Sequence, residues 1–241
     1  MTEIDTFILT DGQHQQDVER LENLFSSPLF NVKVVVIPKK LENQTTSSIE
    51  ETYIKLCLQQ SQSSRSVICI KDSSVTTIAP DDLERLCTYI QRRDFDLFYL
   101  CRWQDFCQKI TDISSVPGIN INIGRTYNPH GFQAVYFSQN GKDVLLGNSP
   151  MRNKQFLDSF CMALSTEIHS GNIVAYCTLN NVFNFDIVRA VSNLDYLKTH
   201  ECAVVNSTDQ DISTNNGILW FLLLLAIVIV ISYAIIRIGK K

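Results

Sequence analysis

The residues best placed to do chemistry are Lys71-Asp72-Ser73-Ser74, directly after the apolar run Val67-Ile-Cys-Ile70. They offer one carboxylate, one ammonium and two hydroxyls on a turn, all oxygen and nitrogen groups able to hold a polar ligand. Other arrangements are poorer. The histidines at 14, 130, 169 and 200 are scattered, and none stands in a nucleophile motif with serine or cysteine. The cysteines at 57, 69, 87, 101, 107, 161, 177 and 202 include no CxxC and no Cys/His cluster at zinc spacing. Gly141-Lys142 lacks the leading glycine of a phosphate loop. Arg102-Trp103 and Arg125-Thr-Tyr127 have the types to bind phosphate and stack a base, although such pairs are more often surface packing.

The elements around the turn follow from periodicity. Thr6 to Thr10 is a short apolar run closed by Asp11-Gly12, a turn signal. Val18, Leu21, Leu24 and Phe25 fall at helical spacing, and Val32 to Ile37 is β-branched. Together they have the dimensions of a βαβ unit. Ser48 and Glu51 have the form of a capping box opening a helix that runs to about Gln60. Val67 to Ile70 is apolar at every position, as a strand covered on both faces should be. Pro80-Asp81-Asp82 opens a further helix, and Phe95 to Leu100 is the next strand.

Beyond Arg102 the pattern predicts strands at 118–124, 132–137 and 173–179 and helices at 138–146 and 156–168. Residues 182–197 read ambiguously. Alternating strands and helices predict an α/β layer structure with a mainly parallel sheet over residues 1–197.

The C-terminus differs in kind. Ile218 to Ile236, ILWFLLLLAIVIVISYAII, has no charge, proline or glycine. As a helix it is about 30 Å long, the thickness of a bilayer's hydrocarbon core. The expectation is a polar linker at 198–216, a transmembrane helix at 217–237 and a basic tail at 238–241. The N-terminus has no basic segment followed by an apolar one, so a signal peptide is not expected. Insertion after translation would leave the domain facing the cytosol. Asp209 and Asp211 before the span and Arg237, Lys240 and Lys241 after it argue the other way by the positive-inside rule. A large domain does not cross a membrane because of three charges, so the cytosolic-facing orientation is the expectation. Several cysteines sit inside apolar runs and read as buried thiols of a reducing compartment. The net charge of −4 and the scattered basic residues give nucleic-acid binding no electrostatic support.

The order of pieces carries a resemblance. VICIKDSSV leads into DDLERLCTYIQRRDFDLFYL, then GFQAVYFSQNGKDVLLG, then NKQFLDSFCMALSTEIHSGNIVAYCTLNNVFNF. This resembles glycosyltransferase family 25, the lipopolysaccharide and procollagen galactosyltransferases, over roughly residues 4 to 190. The resemblance implies a GT-A fold, with a Rossmann-like sheet and ligands beyond the carboxyl ends of its strands. It implies a nucleotide sugar whose diphosphate is held by a divalent cation such as Mn²⁺ on the acidic turn. The matching positions there are Lys71-Asp72-Ser73 or Asp72-Ser73-Ser74, depending on register, so Asp72 and Ser74 are the candidates, with Asp72 the metal ligand, and Asp158 matches an acidic residue of a later helix.

The departures fall at that site. Where the family has Glu-Asp-Asp, this chain keeps one carboxylate with Lys71 beside it, and the family's Gly-Cys-x-x-Ser-His segment has no counterpart in SSIEETYIKLCLQQ. The expectation is a tail-anchored, catalytically degenerate domain with protein partners, as in a virion membrane or capsid layer. The alternatives are an active metal-dependent transferase of hexose and an unrelated α/β membrane-tethering protein.

Overall fold

The computed structural model describes residues 2–37, 46–102, 110–127, 129, 131–146 and 160–185. All lie in the first of the chain's two units, Met1–Cys202. The linker, the transmembrane span, the basic tail and Asp158 lie outside the described residues. No helix among the described residues is long and apolar enough to cross a membrane.

The chain runs β1 (Ile4–Thr10), α1 (Gln15–Leu24), β2 (Phe30–Val36), α2 (Thr46–Gln60), β3 (Ser66–Lys71), β4 (Ser74–Val75), α3 (Pro80–Ile90) and β5 (Leu97–Cys101). It continues with β6 (Thr111–Ser115), β7 (Asn122–Thr126), β8 (Ala134–Phe137), α4 (Gln139–Leu146), α5 (Phe160–His169), β9 (Ala175–Thr178) and β10 (Asn184–Phe185). Eight strands form one sheet in the order β2-β1-β3-β8-β5-β9-β7-β6.

Helices cover both faces of this sheet. On one face α1 and α3 bury Leu21, Leu24, Leu83 and Leu86 against Ile4, Ile8, Ile68 and Phe98. On the other, α2, α4 and α5 bury Cys57, Leu58, Leu145 and Leu164 against Phe7, Val67, Cys69 and Tyr99. Alternate residues of β3 therefore enter opposite cores. That is why its central run, Val67 to Ile70, is apolar at every position rather than alternating.

The fold is mixed α/β, and the sheet is less parallel than expected. β1 pairs parallel with β2 and β3, and β5 with β9. The pairings β3–β8, β5–β8, β7–β9 and β6–β7 are antiparallel. A strand buried on both faces reads the same in either direction, so β8 gave no sign that it runs backwards between β3 and β5.

The strand expected at 118–124 is a second correction. The structure has a hairpin there, with β6 at Thr111–Ser115 and β7 at Asn122–Thr126. Gly118 sits in the turn with φ +82. Ile119 and Ile121 pack against the core from the connecting segment and mimic a strand pattern. β6 is a polar edge strand, mostly exposed, and carries no alternation to read.

Candidate functional site at the carboxyl ends of β1 and β3

β1 connects through α1 to β2 on one side, and the chain then crosses through α2 to β3 on the other side. The strand order reverses between β1 and β3. In an open α/β sheet, that reversal opens a crevice beyond the carboxyl ends of the two strands. Register puts Leu9 opposite Lys71, so Thr10 and Asp72 emerge side by side.

Their side chains bond directly. The Thr10 hydroxyl donates to Asp72 Oδ2 at 2.6 Å and accepts the Gly12 N–H at 3.0 Å. The Asp72 backbone N–H donates to the Leu9 carbonyl at 2.9 Å. Gln133, just ahead of β8, holds the two serines. Its Nε2 donates to Ser73 Oγ at 2.8 Å and to Ser74 Oγ at 3.0 Å. Its carbonyl accepts the Lys71 N–H at 2.9 Å. Arg20 of α1 donates to the Ser74 carbonyl at 2.5 Å. β4 then pairs antiparallel with β10, and the Thr76 hydroxyl donates to the Val182 carbonyl at 2.5 Å. Asp72 keeps 8% of its surface and Ser74 none.

The turn is thus stitched to β1, β8, α1 and β10. The sequence pointed to Asp72 and Ser74 but not to Thr10, Gln133 or Arg20. The strand-ending Thr10-Asp-Gly12 was the available signal for Thr10. Gln133 and Arg20 arrive through pairings that sequence separation hides. No protein-family model and no curated protein matches the chain.

The turn offers a divalent cation a minimal donor set. In phosphate sites such ions keep several waters and are held by one or two carboxylates plus phosphate oxygens. Here one carboxylate is present, and one of its oxygens already accepts from Thr10. Among the described residues no cluster of three or more His, Cys, Asp or Glu side chains could hold a metal ion.

The other sequence candidates resolve into packing. Arg102 is fully buried, and its guanidinium donates to the Thr178 carbonyl and, at 3.0 Å, to the Leu179 carbonyl at the end of β9. Arg125 lies 5.2 Å from the ring of its own neighbour Tyr127. Lys142 donates to the carbonyls of Gln62 at 2.5 Å and Arg65 at 2.8 Å, which ties α4 to the loop before β3. The cysteines at 57, 69, 87, 101 and 177 are buried free thiols, as their apolar settings predicted. Burial pushes the Cys101 thiol up to about 12, far from a reactive thiolate.

If the Thr10–Asp72 bond clasps β1 to β3, Thr10→Val leaves a nearly buried carboxylate short of a donor. The expected loss is about 1–3 kcal/mol of unfolding free energy, read from urea midpoints at unchanged m-value. A loss below about 0.5 kcal/mol, the scatter of neutral surface changes, would show that the clasp carries no weight.

Proposed function

We propose that this chain is a tail-anchored membrane protein whose α/β domain is glycosyltransferase-like in fold and serves as a scaffold for protein partners rather than a catalyst. The observation that carries the reading is the use made of the acidic turn. In a transferase of this architecture, the carboxylates after the third strand face the ligand. Here the Asp72 carboxylate accepts from Thr10, and both serines accept from Gln133. A turn committed to internal bonds fixes the strand ends but has little capacity left for a diphosphate. The span Ile218 to Ile236 supports the membrane part of the reading through its composition and length.

One observation favours the competing reading, an active hexosyltransferase. Asp72 and Ser74 stand at the strand-order reversal, where open α/β sheets bind ligands. A single experiment separates the two. The full-length chain, in a detergent without a sugar headgroup, is titrated calorimetrically with uridine diphosphate and MnCl₂, and the titration is repeated on Asp72→Ala. The scaffold reading expects no metal-dependent heat. Micromolar binding lost in Asp72→Ala would replace that reading with the transferase. The membrane part is tested separately by an alkaline carbonate wash of membranes bearing the chain. The full chain stays in the pellet, whereas a chain ending at Asn216 moves to the supernatant. Release of both would remove the anchor.

A further inference from the structure

A concave site lies at the end of the sheet opposite the Asp72 turn, beyond the amino ends of β3 and β5. It is a cleft of ≈ 370 Å³, near the lower end of the range for small-molecule sites. Ser66, Gln91, Arg93, Asp94, Tyr136 and Asp143 are among its lining residues. They converge from the start of β3, the end of α3, the approach to β5, the middle of β8 and the middle of α4. Five separate parts of the fold thus contribute polar groups to one hollow.

Two features show unspent bonding capacity. The Tyr136 side chain is 1% exposed, and its hydroxyl has no hydrogen-bond partner. Ser66 and Gln91 lie beside that hydroxyl without closing a bond of good geometry. A buried phenol is seldom left so, because an unmade bond costs about 1–3 kcal/mol. Asp94 and Asp143 are exposed carboxylates with no ion pair or hydrogen bond among the described residues. Arg93 is the cation of the lining. It is held in place by hydrogen bonds to Tyr89 Oη at 2.5 Å and Ser114 Oγ at 2.9 Å.

The lining selects a ligand class by elimination. An apolar ligand would strand its carboxylates, guanidinium and amides without partners. An anion would face Asp94 and Asp143, and a small cation would face Arg93. A neutral molecule bearing several hydroxyls meets all of these groups, since each hydroxyl both donates and accepts. Its hydroxyls donate to the two carboxylates and accept from Arg93 and the Gln91 amide. We propose that this cleft binds a neutral polyhydroxylated ligand of mono- or disaccharide size. The site stands at the far end of the sheet from Asp72 and does not rest on the scaffold or transferase reading.

The probes are glucose and maltose, titrated by calorimetry into the full-length chain in a detergent without a sugar headgroup. Binding of either sugar is expected. Asp94→Ala and Asp143→Ala each weaken it about tenfold, the scale of a lost hydrogen bond to a charged group. Both positions are exposed, so these variants fold. Glu22→Ala, on the exposed face of α1, binds as the native chain does. Tyr136→Phe keeps the ring, removes the hydroxyl and weakens binding without lowering the urea midpoint. No heat with either sugar overturns the proposal. So does sugar binding that is unchanged in the Asp94→Ala/Asp143→Ala double variant. Binding of sulfate or spermidine in place of the sugars overturns the ligand class.

Discussion

Asp5→Ala is expected to lower the free energy of unfolding by about 3 kcal/mol, the low end of the cost of breaking a buried ion pair. Asp5 lies on β1, fully covered. It accepts from Asn31 Nδ2 at 2.6 Å, Ser61 Oγ at 2.7 Å, Arg65 Nη1 at 3.1 Å and the Gln62 N–H at 3.3 Å. Lys33 stands 3.7 Å away. One carboxylate therefore joins β1 to β2 and to the loop between α2 and β3. Alanine would leave those donors facing a void. The cost falls at the low end because Lys33, with 40% of its side chain exposed, can turn to water.

The same group sets an acid limb of stability. Burial alone would raise its carboxyl, but the hydrogen bonds from Ser61, Asn31 and Arg65 and the charge of Lys33 outweigh it, and the group lies below its ordinary value. A carboxyl depressed in the folded state contributes stability that is complete above its unfolded value, near pH 4. That contribution is lost as pH falls through the folded value. Urea midpoints measured from pH 7 down to pH 3 should therefore drop for the native chain below about pH 4, and fall less steeply for Asp5→Asn. Equal slopes in the two proteins, or an Asp5→Ala cost under about 1 kcal/mol, would remove Asp5 from this role.

Gly141→Ala is expected to cost about 3 kcal/mol, the upper part of the usual range for overpacking. A Cβ at Gly141 would stand 2.0 Å from the Asp96 carbonyl oxygen and 2.6 Å from its carbon. Both sides of the clash are backbone, so no flexible side chain can yield. The approach is fixed from several directions. Ser138 Oγ accepts the Gly141 N–H at 2.9 Å and donates to the Phe95 carbonyl at 2.6 Å. Asn140 donates to Asp96 Oδ1 at 2.5 Å, and Asp96 Oδ2 accepts the Val174 N–H at 2.8 Å. Gly171→Ala is the control. Its φ of +80 strains any other residue, but nothing lies within 4 Å of the added carbon. It should cost about 1–2 kcal/mol, that of one left-handed residue. Equal midpoints for the two variants would mean that the α4–Asp96 contact relaxes freely.

Gly141 also shows how far local sequence reading reaches. Gly141-Lys142 invited comparison with a phosphate loop, and spacing dismissed it. What glycine does there depends on Asp96, 45 positions earlier, and no local pattern reports that. Arg102 is a similar case. Beside an aromatic residue it has the types of a ligand-binding pair but reads more often as surface packing, whereas β9 brings carbonyls that bury its guanidinium. In contrast, the burial of Cys69 and Cys101 was legible, because each sits in an apolar run that only a covered strand explains.

The sequence by itself determined the succession β1-α1-β2-α2-β3-α3-β5, though not the short β4, together with the two-faced burial of β3 and the placing of Asp72 on a turn after a central strand. These follow from periodicity and turn chemistry, which act over a few residues. Only the tertiary structure decided that β8 runs antiparallel between β3 and β5. It alone placed the polar 111–115 segment as an edge strand, and it alone brought Thr10, Gln133 and Arg20 to the Asp72 turn. Strand direction and partner choice are set by which apolar faces close on each other across the sheet. A doubly covered strand carries the same apolar signal whichever way it runs.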